Sequence, residues 1–374
     1  MIIDERIRES IYNAFGVDLS LEENSLHIII KKLTSKEDLH ESEVVIAMSS
    51  LMSSDIAHAD IEAYLVALHK KGETEEEIAT SARVMRIFAS KIYTDHNKAK
   101  FKDINIVDCC GTGGGANVFN VSTAVALMLA ANGLYVAKHG NRAITSLSGS
   151  ADVLEVLGVK IDIPASKVGE CILQARIGFL FAPLFHQATK NVQQVRRKLK
   201  HKTIFNILGP LTNPAEPTYQ LIGVYDPALT EKMARVLKLL NVKKAVVVHG
   251  HTPCGTGLDE VSTVGKTKVS ELSTTGDIKN YLFSPAEVSL KQTSLDELRG
   301  GNATCNASII KAIVQDKCRG PKADIVALNA AFAFMACDCV NTIDDGLRLS
   351  NEIIADKKAD TLLENFIKCT NGMK

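Results

Sequence analysis

The sequence predicts an α/β protein: a small all-helical N-terminal domain followed by a large α/β domain with a central, mostly parallel sheet. Three observations carry that expectation. Up to about residue 95 the chain shows apolar residues at helical spacing and no strand-type alternation. A polar stretch, "TDHNKAKFKD" at 94–103, then interrupts the pattern. Beyond it, short β-branched runs alternate with helical patterns, as expected for parallel strands joined by helical crossovers. The reading therefore gives a helical domain at 1–98 and an α/β domain at 99–374.

Each element has its own signals. "IDERIRESIYNAFG" is amphipathic. "SKEDLHESEVVIAMSSLMSS" opens on a serine and acids before an apolar stripe. "SDIAHADIEAYLVALHKKG" ends on Lys70, Lys71 and Gly72, a helix stop. "ETEEEIATSARVMRIFASKIY" begins acidic and ends basic, which complements the helix dipole. In the α/β part "INIVD", "LYVAKHG", "YQLIGVYD" and "KAVVVHG" read as strands and "ALTEKMARVLKLLN" as a helix. Several of these strands end in Gly, His or Asp, and ligands gather at the carboxyl ends of parallel strands.

Composition excludes several function classes. The 43 basic and 43 acidic residues cancel, which gives no electrostatic reason to expect nucleic acid or a membrane surface as a partner. Nine cysteines, an odd number without a CxxC pair, point to a reduced, cytoplasmic protein. "MIIDERIRES" has no apolar core, so no signal peptide is expected. The most apolar runs, 121–134 and 325–340, are broken by Asn, Gly or Asp and fall short of a membrane span.

The most informative stretch is "DCCGTGGGANVFNVST", Asp108 to Thr123. Gly111 to Ala116 fits the G-x-G-x-x-A dinucleotide pattern, but "NVFNVST" separates it from the helix that should follow. The next strand also ends in Lys138, His139 and Arg142, where a dinucleotide site wants an acid for the ribose hydroxyls. A plain turn needs one or two glycines, and each further one costs backbone entropy. Four in five positions favour close approach of backbone N–H groups to a phosphate near a helix N-terminus, with a plain turn as the alternative. Asn120, Ser122 and Thr123 then serve as helix caps or phosphate contacts. "KHGNR" packs Lys138, His139, Asn141 and Arg142 behind a buried strand, where charge needs a partner. Ser150 and Asp152 read as caps of a further helix.

Taken in order, "GTGG", "FNVSTA", "VAKHGNR", "SGSADVLEVLG", "FLFAPLFHQATKNVQQVRRKL", "TIFNILGPLTNP", "GLDEVS", "LRGGNATCNA" and "ADIVALNAA" resemble the anthranilate phosphoribosyltransferases. The resemblance runs from about residue 25 to the C-terminus. It implies the second step of tryptophan biosynthesis from chorismate. The phosphoribosyl group of phosphoribosyl pyrophosphate (PRPP) passes to the amine of anthranilate, giving N-(5-phosphoribosyl)anthranilate and pyrophosphate. Gly111, Gly113, Gly114, Asn120, Ser122 and Thr123 would wrap PRPP, and Lys138 would pair with phosphate. Ser122, Asp259 and Glu260 would hold Mg²⁺, two ions per active site in the family. Read without the family, two adjacent acids on a loop are most often a solvated spot, although Mg²⁺ does take a few carboxylates plus phosphates and waters.

Arg196 would receive the anthranilate carboxylate, a match for a guanidinium fork, while Arg197 reads as a solvated helix charge. His139, Asn141, His186 and Pro210 would contact the same substrate or line its path. No residue is assigned as general base, because an aryl amine is already unprotonated at neutral pH. The demand falls on the leaving group, on the positive charge growing at the sugar carbon, and on proximity. The family also implies a substrate cleft between the two domains, hinge closure, helices near 186–205 joining the helical domain, and a homodimer formed through that domain.

The chain departs from the family at four places, one of them the Cys109–Cys110 pair, which stands where small or apolar residues are more usual. "GTGGGA" stands where the family usually reads "GTGGDG", Leu147 replaces a lysine, and residues 1–24 or so precede the usual start. The two lost charges keep open a related phosphoribosyltransferase with another aromatic amine as acceptor. A pyrimidine-nucleoside phosphorylase shares the architecture, but "KHGNR" and "GPLTNP" disfavour it. A non-catalytic nucleic-acid-binding relative would want a basic groove, which zero net charge argues against.

Overall fold

The computed structural model describes residues 3–21, 25–143, 147–253 and 255–373. Its chain forms two units, Met1–Ser90 with Pro183–Pro214, and Lys91–Ala182 with Ala215–Lys374.

The first unit is helical. Its first helix, Glu5–Phe15, starts where the Asp4 carboxylate accepts the Arg6 N–H at 2.9 Å, and it buries Ile11 completely. The Arg83 guanidinium lies 5.1 Å above the Phe15 ring, fastening this helix to the unit. Helix Glu41–Leu51 is buried from Val44 onward, and helix His58–Lys71 stops at Gly72. Helix Glu75–Phe88 has a reciprocal cap: Thr74 Oγ1 accepts the Glu77 N–H, and the Glu77 carboxylate accepts the Thr74 N–H at 2.8 Å. The returning segment completes the unit. Its helix Lys190–Arg196 packs on His58–Lys71, and Arg86 Nε donates to the Leu211 carbonyl at 2.9 Å.

The division between units falls at Ser90, earlier than the expected 98, and the returning segment is longer than 186–205. Packing explains the shift. Ile92 is 1% exposed, and its carbonyl presses so closely on Gly169 that a Cβ there would collide with it. The Tyr93 and Phe101 rings meet at a tilt with centroids 6.2 Å apart, so the short helix Lys98–Lys102 goes with the α/β unit.

Among the described residues of that unit seven strands form one sheet: β1 Ile106–Gly111, β2 Tyr135–Gly140, β3 Ile177–Phe181, β4 Tyr219–Gly223, β5 Lys244–Gly250, β6 Thr267–Leu272 and β7 Ile278–Phe283. Their order is β3-β2-β1-β4-β5-β6-β7; the first five are parallel, and β6 and β7 turn back antiparallel. Helix Val121–Ala131 packs on β1 and β2, helix Ala165–Ala175 on β3, helix Leu229–Leu239 on β5 and β6, and helix Pro321–Ala336 on β4 and β5. The last of these is apolar almost all round, as a helix covered on every side must be.

Candidate functional site

The strand order places the site. From β1 the chain runs through helix Val121–Ala131 to β2 on one side, whereas β4 leads through helix Leu229–Leu239 to β5 on the other. Neighbouring strands whose connections diverge leave a crevice beyond their carboxyl ends. β1 and β4 are such a pair, and they end side by side at Gly111 and Gly223.

The loop holding Asp259 crosses this point and explains part of the glycine run. A Cβ on Gly223 would run into the Asp259 carbonyl, one on Gly111 into the Asp259 carboxylate, and one on Gly115 would stand 2.8 Å from the Gly257 carbonyl. The Gly113 N–H donates to Asp259 Oδ2 at 2.9 Å, and the Ala116 N–H to the Gly257 carbonyl at 2.8 Å. Gly113 and Gly114 are needed for their backbone instead, since with φ of +70° and +85° they make the left-handed bend. Two of the four glycines, Gly111 and Gly115, thus admit a second protein loop; sequence reasoning gave Gly111 to the ligand and gave Gly115 no role.

Asp259 and Glu260 are not a solvated acidic spot. Burial raises the pKa of both. For Glu260 burial, and after it the neighbouring Asp259 charge, push it up to about 8. Glu260 Oε1 accepts the Ser122 N–H at 3.2 Å. Lys138, 2% exposed on β2, donates to the Cys109 carbonyl at 2.9 Å and to Ser122 Oγ at 3.2 Å. Both acceptors are neutral, and among the described residues no carboxylate forms an ion pair with this ammonium. A buried cation held only by neutral oxygens is set up for an anion.

The same residues fit a hard dication. Two carboxylates and a hydroxyl are oxygen donors, and positive charge between the acids would offset both the burial and the Asp259 charge that keep a proton on Glu260. Among the described residues no three His, Cys, Asp or Glu side chains gather as a full metal cage, which suits an ion that completes its shell with ligand phosphates and water.

The remaining sequence-predicted residues fall into place by unit. Thr123 is 1% exposed and its hydroxyl has no hydrogen-bond partner among the described residues. Asn120 is engaged at both ends, donating to the Ser148 carbonyl at 3.1 Å and accepting from Asn306 Nδ2 at 2.9 Å. His139 is buried on β2, and Asn141 follows that strand, its side-chain oxygen accepting the Arg142 N–H at 2.7 Å. Arg142 is itself committed, to Asp152 at 3.0 Å and Glu155 at 2.8 Å. Asp152 accepts the Gly149 and Ala143 N–H groups, both at 2.9 Å; Gly149 is the N-cap and Ser150 the first helical residue, so the cap expected at Ser150 is absent. Leu147 is 66% exposed beside Ser148; Thr145 and Ser146 of the same motif lie outside the described residues.

Arg196, His186 and Pro210 belong to the helical unit, on its returning segment. Arg196 ends helix Lys190–Arg196 with its guanidinium 5.4 Å above the Phe205 ring. Burial lowers its pKa, and among the described residues no carboxylate pairs with it. Arg197 is exposed, whereas His186 and Pro210 are buried.

Sequence reasoning missed His249 and Asn306. Buried at the end of β5, His249 shares a hydrogen bond between Nδ1 and the Val224 carbonyl at 2.8 Å, and Gly257 lies against its ring so closely that a Cβ there would collide. The strand ending "VVVHG" was the available signal.

Comparison with known proteins identifies the family and the fold. The family described as "Glycosyl transferase family, a/b domain" matches residues 103–360, and "Glycosyl transferase family, helical bundle domain" matches residues 28–89. An anthranilate phosphoribosyltransferase of Petrotoga mobilis is 45% identical, over 91% of this chain and 96% of its own. The crystal structure of the Thermus thermophilus enzyme of that name superposes with a TM-score of 0.84 at 38% identity, covering 92% of this chain and 99% of its own. That of the Saccharomyces cerevisiae enzyme, in complex with PRPP and Mg, gives a TM-score of 0.82 at 28% identity, covering 93% and 98%. With both its domains matched and its relatives covered almost end to end, the chain belongs to the anthranilate phosphoribosyltransferase family.

Proposed function

We propose that this protein transfers the phosphoribosyl group of PRPP to the amine of anthranilate, releasing pyrophosphate, in the second step of tryptophan biosynthesis. The observation that carries the reading is Lys138: a buried ammonium on β2, bonded among the described residues only to neutral oxygens, the Cys109 carbonyl and Ser122 Oγ, beside the β1–β4 switch point. Lys138 takes a phosphate oxygen, and the N–H groups of Gly113 and Gly114 with the hydroxyls of Ser122 and Thr123 take others. The Gly111 position keeps the Asp259 loop close enough to share the ligand. Ser122, Asp259 and Glu260 hold Mg²⁺, two ions per site. When bound, the metal offsets the charge that builds on the departing pyrophosphate.

Arg196 receives the anthranilate carboxylate. It is a desolvated guanidinium over an aromatic ring, with no acid paired to it among the described residues, so a carboxylate gives it the partner burial demands. His139, Asn141, His186 and Pro210 complete the binding of the same substrate. The amine attacks the sugar carbon unassisted, since it is already unprotonated, and binding of both substrates supplies proximity. The protein acts as a cytoplasmic homodimer joined through its helical unit, where Ile28, 70% exposed on helix Ser25–Thr34, offers an apolar contact.

The test is the loss of anthranilate fluorescence in PRPP and Mg²⁺. Wild-type protein consumes the signal, and Arg196→Ala lowers kcat/KM by about 100-fold, the size expected when a charge-assisted pair is lost from a buried site. Arg196→Lys restores little, because an ammonium lacks the planar fork. PRPP binding without anthranilate turnover would leave the fold and donor site standing and assign another aromatic amine as acceptor.

A further inference from the structure

One motif that the proposed chemistry does not use is "LRGGNATCNA", Leu298 to Ala307. The structure accounts for it residue by residue. Asn302 caps helix Ala303–Val314, its Oδ1 accepting the Cys305 N–H at 3.0 Å. Gly300 admits a close crossing: a Cβ there would stand 2.7 Å from the Phe119 Cα and 2.5 Å from Asn306 Oδ1. Asn306, 2% exposed, is the hub. Its Oδ1 accepts the Gly301 N–H at 2.7 Å, which leaves its amide group as the only end that can face Asn120, and Nδ2 donates to Asn120 Oδ1 at 2.9 Å.

That chain of bonds dictates which way the Asn120 carboxamide is turned. The Gly301 N–H is a fixed donor, so Asn306 presents oxygen to it and nitrogen to Asn120. Asn120 must then present oxygen to Asn306 and nitrogen on its other side, where Nδ2 donates to the Ser148 carbonyl. An amide group has two hydrogens, and among the described residues only one of those on Asn120 is engaged. Asn120 is the N-cap residue of helix Val121–Ala131, five residues after Gly115 of the glycine turn and two residues before Ser122. A carboxamide there that presents N–H favours an anionic oxygen; one turned over would present a lone pair and repel it.

We infer that Asn306 is a positioning residue that locks the Asn120 carboxamide with its N–H group toward the phosphate-bearing substrate. The inference rests on the PRPP reading of the glycine turn. Asn306→Asp keeps the shape and the acceptor for Gly301 but replaces the donor facing Asn120 with a second oxygen, so Asn120 turns its nitrogen toward residue 306.

The experiment is a double-mutant cycle on the full-length protein, measuring PRPP affinity by calorimetry in Mg²⁺ together with the KM for anthranilate and the thermal midpoint. Asn306→Asp weakens PRPP binding by about tenfold, the worth of one hydrogen bond to a charged group, and leaves the anthranilate KM unchanged. Asn120→Ala weakens PRPP binding similarly. The double variant is no worse than Asn120→Ala alone, because a lock has nothing left to hold. A structural role would show instead as losses that multiply to about 100-fold, or as anthranilate KM and thermal midpoint moving together with PRPP affinity, and either result overturns the inference. Should the buried carboxylate prevent folding, Asn306→Ala removes the donor without adding charge and carries the same expectation. Wild-type protein that binds no PRPP removes the underlying reading and this inference with it. Wild-type binding with an undiminished Asn306→Asp variant removes this inference alone.

Discussion

Glu260 shows how one side chain reports on the whole site. Burial and the Asp259 charge lift its pKa to about 8, far above the ordinary carboxyl value, so between those limits the folded chain holds a proton that the unfolded chain has lost. More protons bound when folded means that stability falls as pH rises through that window and levels off above about pH 8. Magnesium has the opposite trend. It binds the carboxylate, so the proton must leave, and its stabilising effect grows over the same range. Melting curves without metal should lose midpoint from about pH 5 to about pH 8, and Glu260→Gln, neutral throughout, should flatten that slope. Added Mg²⁺ should raise the midpoint more at about pH 8.5 than at about pH 6. An unchanged slope in the Gln variant would assign the titration to another group. The adjacent thiols behave differently: burial pushes Cys109 up to about 12 and Cys110 well above its usual value, which leaves both unreactive at neutral pH.

The β1–β4 pair and the loop that crosses it act as one element. Gly223 ends β4 with the Asp259 backbone against its Cα, and backbone cannot rotate out of the way as a side-chain tip can. Gly223→Ala must therefore displace the loop bearing Asp259 and Glu260. Mg²⁺ and PRPP affinity should both fall by tenfold or more, while the helical unit, which contains none of these residues, keeps its structure; Mg²⁺ titration beside far-UV circular dichroism checks both. This contact also marks where sequence reading stops. The run of four glycines was legible as close approach, and β1, β2, β4 and β5 were legible from their β-branched runs. What approached was not, because Asp259 lies 148 residues from Gly111 in the chain, and only the sheet order brings them together. β6 and β7 went unread for a local reason. "TKVSEL" and "IKNYLF" mix charge into their alternation, since an antiparallel pair at the sheet edge keeps one side wet. Asn306 was hidden inside a motif read only as part of the family resemblance, because its partner Asn120 lies 186 residues away in the chain.

At the scale of the molecule, the helical unit is assembled from two pieces of chain with 92 residues between them, Ser90 to Pro183. The returning piece is part of its core. Val192 and Val195 are buried on the helix that packs against His58–Lys71, Arg86 depends on the Leu211 carbonyl, and helix Phe205–Leu208 packs on helix Glu75–Phe88. Residues 1–90 made alone would expose those contact faces and remove the Leu211 carbonyl that Arg86, 7% exposed, donates to in the fold. They should give helical circular dichroism without a cooperative melt. The two ends are already close: the Ser90 N–H donates to the Phe185 carbonyl at 3.0 Å. A short Gly/Ser linker can therefore join residue 90 to residue 183 with little loss of closure entropy. The joined chain, 1–90 with 183–214, should melt as a single cooperative step. If 1–90 alone melts as sharply as the joined form, the returning segment is an attachment to a self-sufficient bundle, and its buried valines and the Arg86 contact contribute far less than their burial implies.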